Sequence, residues 1–325
     1  MDSSNTRADL FHDFIQKSEL ILEQIRAGED SRCHHGQFEQ DEFWNKLGVV
    51  FKKAAHEATK LSLVFSQEPA PNEEECRGVL ESVEKAMIVL VSVYYSLPLT
   101  QGATLRKALQ KATLNIIEGI KSLAETVGQG TLGSQQQLQT TGAVWHETDI
   151  VPTLPKSNRE AVLVMVKESA ALVTDALSEV QEIQTSGEDG EEDDGFEESP
   201  VLSDAEKALL APCSGLIKTS KFILKKTCEG IISNEQCEQA EYVWALDHLA
   251  EIVDRLSPAV DDFASCLYPP LKHDSIRQEG ERLYQTNEVL LTFLKQSEIK
   301  IEKLDPLLAA NKHNWDKLSS SLGGV

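Results

Sequence analysis

The chain has 325 residues, with 53 acidic against 31 basic side chains and a formal charge of −22. Hydrophobic residues make up 41% of it, enough for a sizeable core, which excludes disorder throughout. The acidic excess argues against general binding of nucleic acid or anionic lipid, which the chain repels on average.

Almost every apolar stretch repeats with the helical period of i, i+3, i+4 and i+7. The predicted helices run from about Asp9 to Ile25, Phe43 to Phe65, Asn72 to Tyr94, Leu105 to Val127, Val162 to Val180, Ser203 to Gly230, Ser233 to Leu256, Ser257 to Tyr268, Asp274 to Leu294, and around Leu307 to Leu318. No alternating strand pattern bounded by hairpin turns occurs. The length and these helices predict an all-α fold of two antiparallel bundles, with four to five helices each.

Local signals mark several of these boundaries. Asn72 and Ser203 are each followed three residues later by a glutamate, which is the spacing of a capping box and predicts a helix start. Pro212 is expected to kink its helix or to mark the true start of that helix. Gln135 to Gln139 shows no clear helix start, and Trp244 is placed on an inward-facing stripe.

Residues 187–199 are the strongest compositional anomaly, with eight acidic residues, no basic residue and three glycines. Because these charges repel one another and Phe196 alone buries little, we predict a disordered linker. The predicted domains are an N-terminal helix and loop at 1–38, an N-terminal bundle at 39–186, the linker at 187–199 and a C-terminal bundle at 200–325.

Long acidic insertions in helical proteins often bind partners or carry phosphate. Ser199 precedes a proline and Ser186 precedes the acidic run, so both are phosphorylation candidates. A phosphate there adds about −1.5 to −2 charges. The hypothesis is an electrostatic arm adjusted by phosphorylation. Its partner-binding candidates are Glu188, Asp189, Glu191, Glu192, Asp193, Asp194, Glu197 and Glu198.

Signatures of catalysis are weak in this sequence. Gly128, Gly130 and Gly133 have the spacing of a dinucleotide loop, but they follow a helix rather than a strand, which favours a helix stop and a turn. The run at 33–35 reads Cys-His-His, three adjacent side chains that cannot all bind one tetrahedral ion, and is interpreted as a polar loop. His248 is interpreted as a histidine at the edge of the core. We therefore predict no enzyme activity, no metal site and no cofactor.

The six cysteines fit neither a zinc ribbon nor a small disulfide scaffold. No secretory signal is visible, and the most apolar segment, Ala86 to Leu97, is too short to span a bilayer. We expect a reducing intracellular compartment, with thiols buried as small hydrophobic groups and no membrane association.

Two helices carry basic residues at helical spacing. The stripes are Lys218, Lys221, Lys225 and Lys226, and Arg106, Lys107, Lys111 and Lys121. Each is either a docking surface for an acidic partner or for the chain's own linker, or an ordinary solvated helix face.

Several long runs of residues resemble one known family. They are Phe43–Leu47, Glu57–Leu61, Val64–Pro69, Val93–Pro98, Gln101–Lys107, Ala112–Leu114, Ser257–Asp262 and Tyr268–Pro270. On these runs, and on the position of the acidic stretch, the chain resembles the cyclin-D-binding protein 1 family, also called GCIP or the human homologue of Maid. The resemblance covers residues 40–125 densely and 200–272 more loosely, and residues 1–38 and the tail after Leu271 match poorly.

The resemblance implies a non-enzymatic negative regulator of cell-cycle progression. Members of that family bind D-type cyclins and reduce phosphorylation of the retinoblastoma protein, and with it the transcription that this protein controls. They also bind helix-loop-helix transcription factors and a Grb-type adaptor, and occur in the cytoplasm and the nucleus. The long apolar stripes here are best buried within one chain, so we take the helix-loop-helix label as functional rather than architectural.

We expect the partner surface on the helix after Pro155 together with the acidic residues 188–198. The alternative is an adaptor of the vinculin and α-catenin class with cytoskeletal partners, because long helical bundles are typical of that class. A third possibility, an enzyme with a metal in the bundle core, needs Glu-x-x-His pairs on facing helices, and the sequence contains none.

Overall fold

The structure is a computed structural model that describes residues 3–28, 38–130, 132–185, 202–234 and 239–323. Within these ranges all regular secondary structure is helical, and no strand occurs, which confirms the predicted all-α fold. The helices form two compact units, Met1–Ser157 and Asn158–Val325.

The first unit is an antiparallel arrangement of five α-helices among the described residues. They are α1 (Ser3–Ala27), α2 (Gln40–Val64), α3 (Glu73–Tyr95), α4 (Ala103–Gly128) and α5 (Gln135–Asp149), with short 3-10 turns at Leu99–Gln101 and Val151–Thr153. α4 runs antiparallel to α1, since Gln110 donates to the carbonyl of Ile25 at 2.6 Å and Lys121 pairs with Glu19 at 2.7 Å. α2 packs against α3 and α5.

The second unit contains six α-helices within the described ranges, one more than predicted. They are α6 (Asn158–Thr185), α7 (Asp204–Ser233), α8 (Ala240–Val253), α9 (Leu256–Ser265), α10 (His273–Gln296) and α11 (Asp305–Leu322). One continuous apolar cluster joins them, with Val166, Leu224, Leu246, Phe263 and Leu290 fully buried. This cluster is the core of the unit.

The position of α6 differs from the prediction, which assigned this helix to the N-terminal bundle at 39–186. The structure places it in the second unit, where it packs against α7, α8 and α9. Its apolar stripe, including Val162, Val173 and Val180, lies in the same buried cluster as α7. Arg159 donates to the carbonyl of Ile231 at 2.9 Å, which fixes the start of α6 against the end of α7. The compact units therefore divide before α6, not after it.

Both predicted capping boxes are present. The side chain of Asn72 accepts from the backbone N–H of Glu75 at 3.0 Å, and the Glu75 carboxylate accepts from the N–H of Asn72 at 2.9 Å. Ser203 and Glu206 make the same reciprocal pair at 3.3 and 2.8 Å. Each box satisfies backbone donors that the first turn of a helix leaves unpaired.

Two other boundary predictions were wrong, and for Pro212 one of the two predicted alternatives is excluded. Pro212 lies inside α7, which runs from Asp204 to Ser233, so it does not mark the start of that helix. Ser233 ends α7 instead of opening the next helix, and α8 begins at Ala240. The stretch without a clear helix start, Gln135 to Gln139, opens α5, whose N-cap Ser134 accepts from the N–H of Gln137 at 3.2 Å.

The described cysteines are free thiols. Cys76 and Cys213 are fully buried, as predicted, and burial raises the pKa of Cys213 to about 12. Cys228 and Cys266 are partly covered. No described helix has the length and hydropathy needed to cross a bilayer.

Candidate protein-interaction site

The acidic arm, as we call residues 188–198, lies outside the described ranges. This applies to Glu188, Asp189, Glu191, Glu192, Asp193, Asp194, Glu197 and Glu198, and to the phosphorylation candidates Ser186 and Ser199. The structure does describe the helix that leads into this segment, since α6 ends at Thr185. The geometry of the predicted partner surface is therefore that of α6.

The solvent side of α6 carries a mixed apolar and acidic stripe, Val164, Glu168, Leu172 and Asp175, which we call the α6 outer face. These residues stand at i, i+4, i+8 and i+11, a spacing that puts them on one side of a helix. The exposed fractions of Val164 and Leu172 are 45% and 50%. Burying both against a partner would stabilise a complex by the usual apolar transfer free energy.

The charges of the α6 outer face are available to a partner. Glu168 and Asp175 are exposed and form no ion pair with any residue that the structure describes. Further along α6, Glu179 accepts a hydrogen bond from the Tyr268 hydroxyl at 3.0 Å. That hydrogen bond, together with burial, raises the pKa of Tyr268 above its ordinary value. The α6 outer face therefore suits a partner that presents basic and apolar groups side by side.

The basic stripe predicted on α7 is present, but not all of its four lysines are exposed. Lys218 and Lys225 are exposed, while Lys221 is half-buried. Phe222, with an exposed fraction of 51%, lies among them. Lys226 pairs with Glu229 at 2.6 Å. This α7 stripe is a small cationic surface with one aromatic side chain.

The second predicted basic stripe does not form a continuous surface. Arg106 is buried, where it donates to the carbonyl of Leu97 and lies 5.5 Å above the ring of Tyr94. Lys121 pairs with Glu19. Only Lys107 and Lys111 of the predicted set are exposed. Arg106 joins the start of α4 to the end of α3, so its role is structural.

The glycines and the histidine considered for catalysis have other surroundings. Gly128 is the last residue of α4, and Gly130 and Gly133 have φ of 90° and 62°, which confirms the helix stop and turn. His248 packs between Trp244 and Phe293. Among the described residues no three histidine, cysteine, aspartate or glutamate side chains are grouped so that they could hold a metal ion. The Cys-His-His run at 33–35 lies outside those residues.

Sequence patterning missed one surface. Trp244, predicted to face inward, has an exposed fraction of 67% and lines an open groove between α8 and α10 with His248 and Phe293. On the helical wheel Trp244 lies at the edge of the apolar stripe of α8, so periodicity alone does not decide whether another helix covers it. The groove volume is about 650 Å³.

Comparison with known proteins identifies relatives over nearly the whole length. Residues 46–186 and 187–292 match the N-terminal and C-terminal models of the family described as Grap2 and cyclin-D-interacting. The chain is 35% identical to a "Cyclin-D1-binding protein 1 homolog" of Xenopus laevis, over 94% of this chain and 96% of that protein. It is 34% identical to a protein of the same name from Danio rerio, over 92% of each chain. It is 32% identical to human "Cyclin-D1-binding protein 1", over 89% of this chain and 86% of the human protein.

These alignments extend beyond the runs of residues that carry the resemblance in the sequence, and they include both compact units. The predicted family is therefore confirmed, and the chain belongs to the family of Grap2- and cyclin-D-interacting proteins.

Proposed function

We propose that this protein binds a D-type cyclin and acts by that binding rather than by catalysis. The observation that carries the proposal is alignment of the chain, over 89–94% of its length, with proteins named for binding cyclin D1. An identity of 32–35% spread over both compact units favours retention of the same folded surfaces.

The partner surface that we propose is the α6 outer face together with the acidic arm at 188–198. Two half-exposed aliphatic side chains, Val164 and Leu172, stand beside Glu168 and Asp175, whose charges have no basic partner in the described part of the chain. Apolar contact supplies affinity, and the acidic groups speed encounter with a basic surface.

A cyclin held in this way is withheld from productive kinase complexes. The expected consequence is lower phosphorylation of the retinoblastoma protein and lower transcription of the genes it controls. Sequestration of helix-loop-helix transcription factors, binding of a Grb-type adaptor, and residence in both cytoplasm and nucleus complete the proposal, each as an extension of the resemblance.

The test is capture of purified cyclin D1 by the full chain. The double variant Val164→Ser/Leu172→Ser should weaken capture at least about tenfold, because it removes the apolar part of the α6 outer face. The matched control is Leu20→Ser/Ile88→Ser in the first unit, whose exposed fractions are 64% and 52%. Unchanged capture by the α6 variant would disprove this surface, and failure of the unmodified chain to capture cyclin D1 would disprove the function.

A kinase assay separates binding from inhibition. Added chain should reduce phosphorylation of a retinoblastoma fragment by the cyclin D1 kinase complex in proportion to the cyclin captured. Phosphorylation that continues at full rate while cyclin is bound would contradict the inhibitory role. Recovery of cytoskeletal proteins in place of cyclin from a lysate would favour the alternative adaptor function.

The acidic arm is the proposed adjustable part of the interaction. Replacing Glu191, Glu192, Asp193 and Asp194 with the corresponding amides should slow association and reduce its dependence on salt, while dissociation changes less. A phosphopeptide map of the protein from cells should show phosphate at Ser186 or Ser199. A map without either site would remove the regulatory part of the proposal.

A further inference from the structure

The groove between α8 and α10 is built around three aromatic rings. The ring of His248 stacks on Trp244 with centroids 5.5 Å apart and an interplanar angle of 11°. The same histidine meets the Phe293 ring at 5.0 Å and 69°, an edge-to-face contact. Trp244 is therefore held against a fixed neighbour although 67% of its surface is exposed.

This ordering matters for binding. A large aromatic side chain that is already positioned loses little conformational entropy when a partner covers it, and tryptophan is among the residues most enriched at binding hot spots. Val289, one turn before Phe293 on α10, has an exposed fraction of 55% and continues the apolar strip. The groove volume is about 650 Å³.

The charge around the groove selects the class of occupant. Glu241 and Glu298 line it, and Glu251 lies beside His248, with 3.5 Å between the Nδ1 and carboxylate atoms. Neither lysine nor arginine is among the described residues that line it. Lysine and arginine also bind favourably over the face of a tryptophan ring. An acidic occupant, including the chain's own segment 187–199, would be repelled.

We propose that this groove is a docking site for a cationic amphipathic segment of another protein, in which an apolar anchor is flanked by lysine or arginine. The anchor packs against Trp244 and Phe293, and the basic groups face Glu241 and Glu298. The site lies on α8 and α10 and is distinct from the α6 outer face, so it goes beyond the cyclin-binding proposal and does not depend on it.

A second copy of this chain is a weaker choice of occupant. Its α7 stripe of Lys218, Phe222 and Lys225 has suitable chemistry, but a contact between the α7 stripe of one copy and the groove of the next joins two different surfaces. Such a contact does not close on itself in a dimer and leads to rings or open chains. We therefore assign the groove to a different protein.

The experiment measures binding of a fluorescein-labelled peptide of repeated Leu-Lys-Lys-Leu units to the full chain, by fluorescence anisotropy at about 0.15 M salt. A matched peptide has glutamate in place of lysine. We expect the cationic peptide to bind and the acidic one not to bind. Trp244→Ala should weaken binding at least about tenfold.

The matched control is Trp145→Ala on α5, which removes another exposed tryptophan, with an exposed fraction of 47%, and should leave affinity unchanged. Both substitutions preserve the net charge, so non-specific attraction to the acidic arm survives them equally. A second variant, Glu241→Gln/Glu298→Gln, should weaken binding about three- to tenfold, with a larger effect at low salt.

Equal affinity of Trp244→Ala and the unmodified chain would overturn the proposal, as would equal binding of the acidic peptide. Self-association in light scattering that Trp244→Ala abolishes would identify a second copy as the occupant and overturn it in another way. Circular dichroism checks that each variant is folded. Retained cyclin D1 capture by Trp244→Ala would show that the groove and the cyclin surface are separate.

Discussion

The two units differ in how closely their helices approach. In the second unit, a Cβ at Gly215 or Gly280 would lie 2.3 or 2.9 Å from a side-chain atom of a neighbouring helix, and one at Gly230 would lie 2.5 Å from Ile301 in the segment before α11. In the helices of the first unit, the corresponding distances at Gly119 and Gly128 are 3.2 and 3.1 Å. Packing in the second unit therefore leaves less room for added volume, because real Cβ contacts below about 3 Å do not occur without movement.

Both units bury neutral hydrogen-bonded side chains, such as Gln137 with Ser62 in the first unit, but the first unit also buries a carboxylate. In the first unit, Glu57 is covered by Lys53 and Lys60, with the Lys60 nitrogen 3.1 Å from its carboxylate, at the edge of α2. In the second unit a neutral network lies in the core. Ser220 donates to Asn287 at 2.9 Å, and Asn287 donates to Asn311 at 3.1 Å, with all three side chains fully buried. Of the two, the buried network without access to water should be less tolerant of substitution.

The largest expected effect on stability is that of a substitution at the centre of the buried network in the second unit. Asn287→Ala leaves the oxygen of Asn311 without its donor and opens a small cavity, so the free energy of unfolding of the second unit should fall by about 2–4 kcal/mol. Urea unfolding measures this loss. The control Gln285→Ala, on the exposed side of the same helix, should change stability by less than about 0.5 kcal/mol.

The rates at which two buried cysteines are alkylated report the opening of each unit separately. Cys76 lies in the first unit and Cys213 in the second, both fully buried, so each is alkylated only when its own surroundings open. Asn287→Ala should accelerate alkylation of Cys213 in mild urea and leave Cys76 unchanged. Equal acceleration at both thiols would contradict the separation into two units.

Gly280→Ala tests the close packing of the second unit. The added Cβ would lie 2.9 Å from Leu318 and 3.1 Å from Phe263, and both side chains are fully buried and have little room to move. We expect a net loss of about 1–2 kcal/mol, smaller than the overpacking cost alone because alanine favours a helix. An unchanged or higher melting temperature would show that the core can rearrange to hold the added methyl group.

Gly78→Ala should change stability in the opposite direction. Gly78 lies on the exposed side of α3 in the first unit, and a Cβ there meets nothing within 4 Å. Alanine should stabilise the unit by about 0.5–1 kcal/mol through helix propensity. The same substitution in the two units therefore gives a matched pair, and a loss of stability at position 78 would contradict the contrast between them.

The smallest expected effect depends on pH. Burial opposes ionisation of Glu57, but hydrogen bonds from Lys53 and Lys60 outweigh it and hold the pKa of Glu57 below its ordinary value of 4.5. The stabilisation is therefore present above that ordinary pKa and is lost as pH falls through the lower folded value. Glu57→Gln should destabilise the first unit near neutral pH, and the difference should vanish under acid, in urea unfolding followed by circular dichroism. A difference that grows under acid would contradict this sign.

The helices themselves could be predicted wherever apolar residues repeat or caps are explicit. The boxes at Asn72 and Ser203 predicted the starts of α3 and α7 because a capping box depends on residues only three positions apart. α5 escaped prediction because its buried face is mostly polar. Gln137 and Thr141 hydrogen-bond to Ser62 of α2, and Val144 is its fully buried apolar side chain. The hydrogen-bond partners of a polar helix face are brought close only when the chain folds, so no local sequence pattern predicts such a helix.

By itself, the sequence determined the all-α class, most helix positions and, through long runs of shared residues, the family. Only the tertiary structure decided which helices share a core. It placed α6 with α7, buried Arg106 against Tyr94, left Trp244 in solvent, and brought glycines into close contact with neighbouring elements. The physical reason is range: caps and apolar periodicity act within a few turns of one helix, whereas burial depends on which distant helix covers each face.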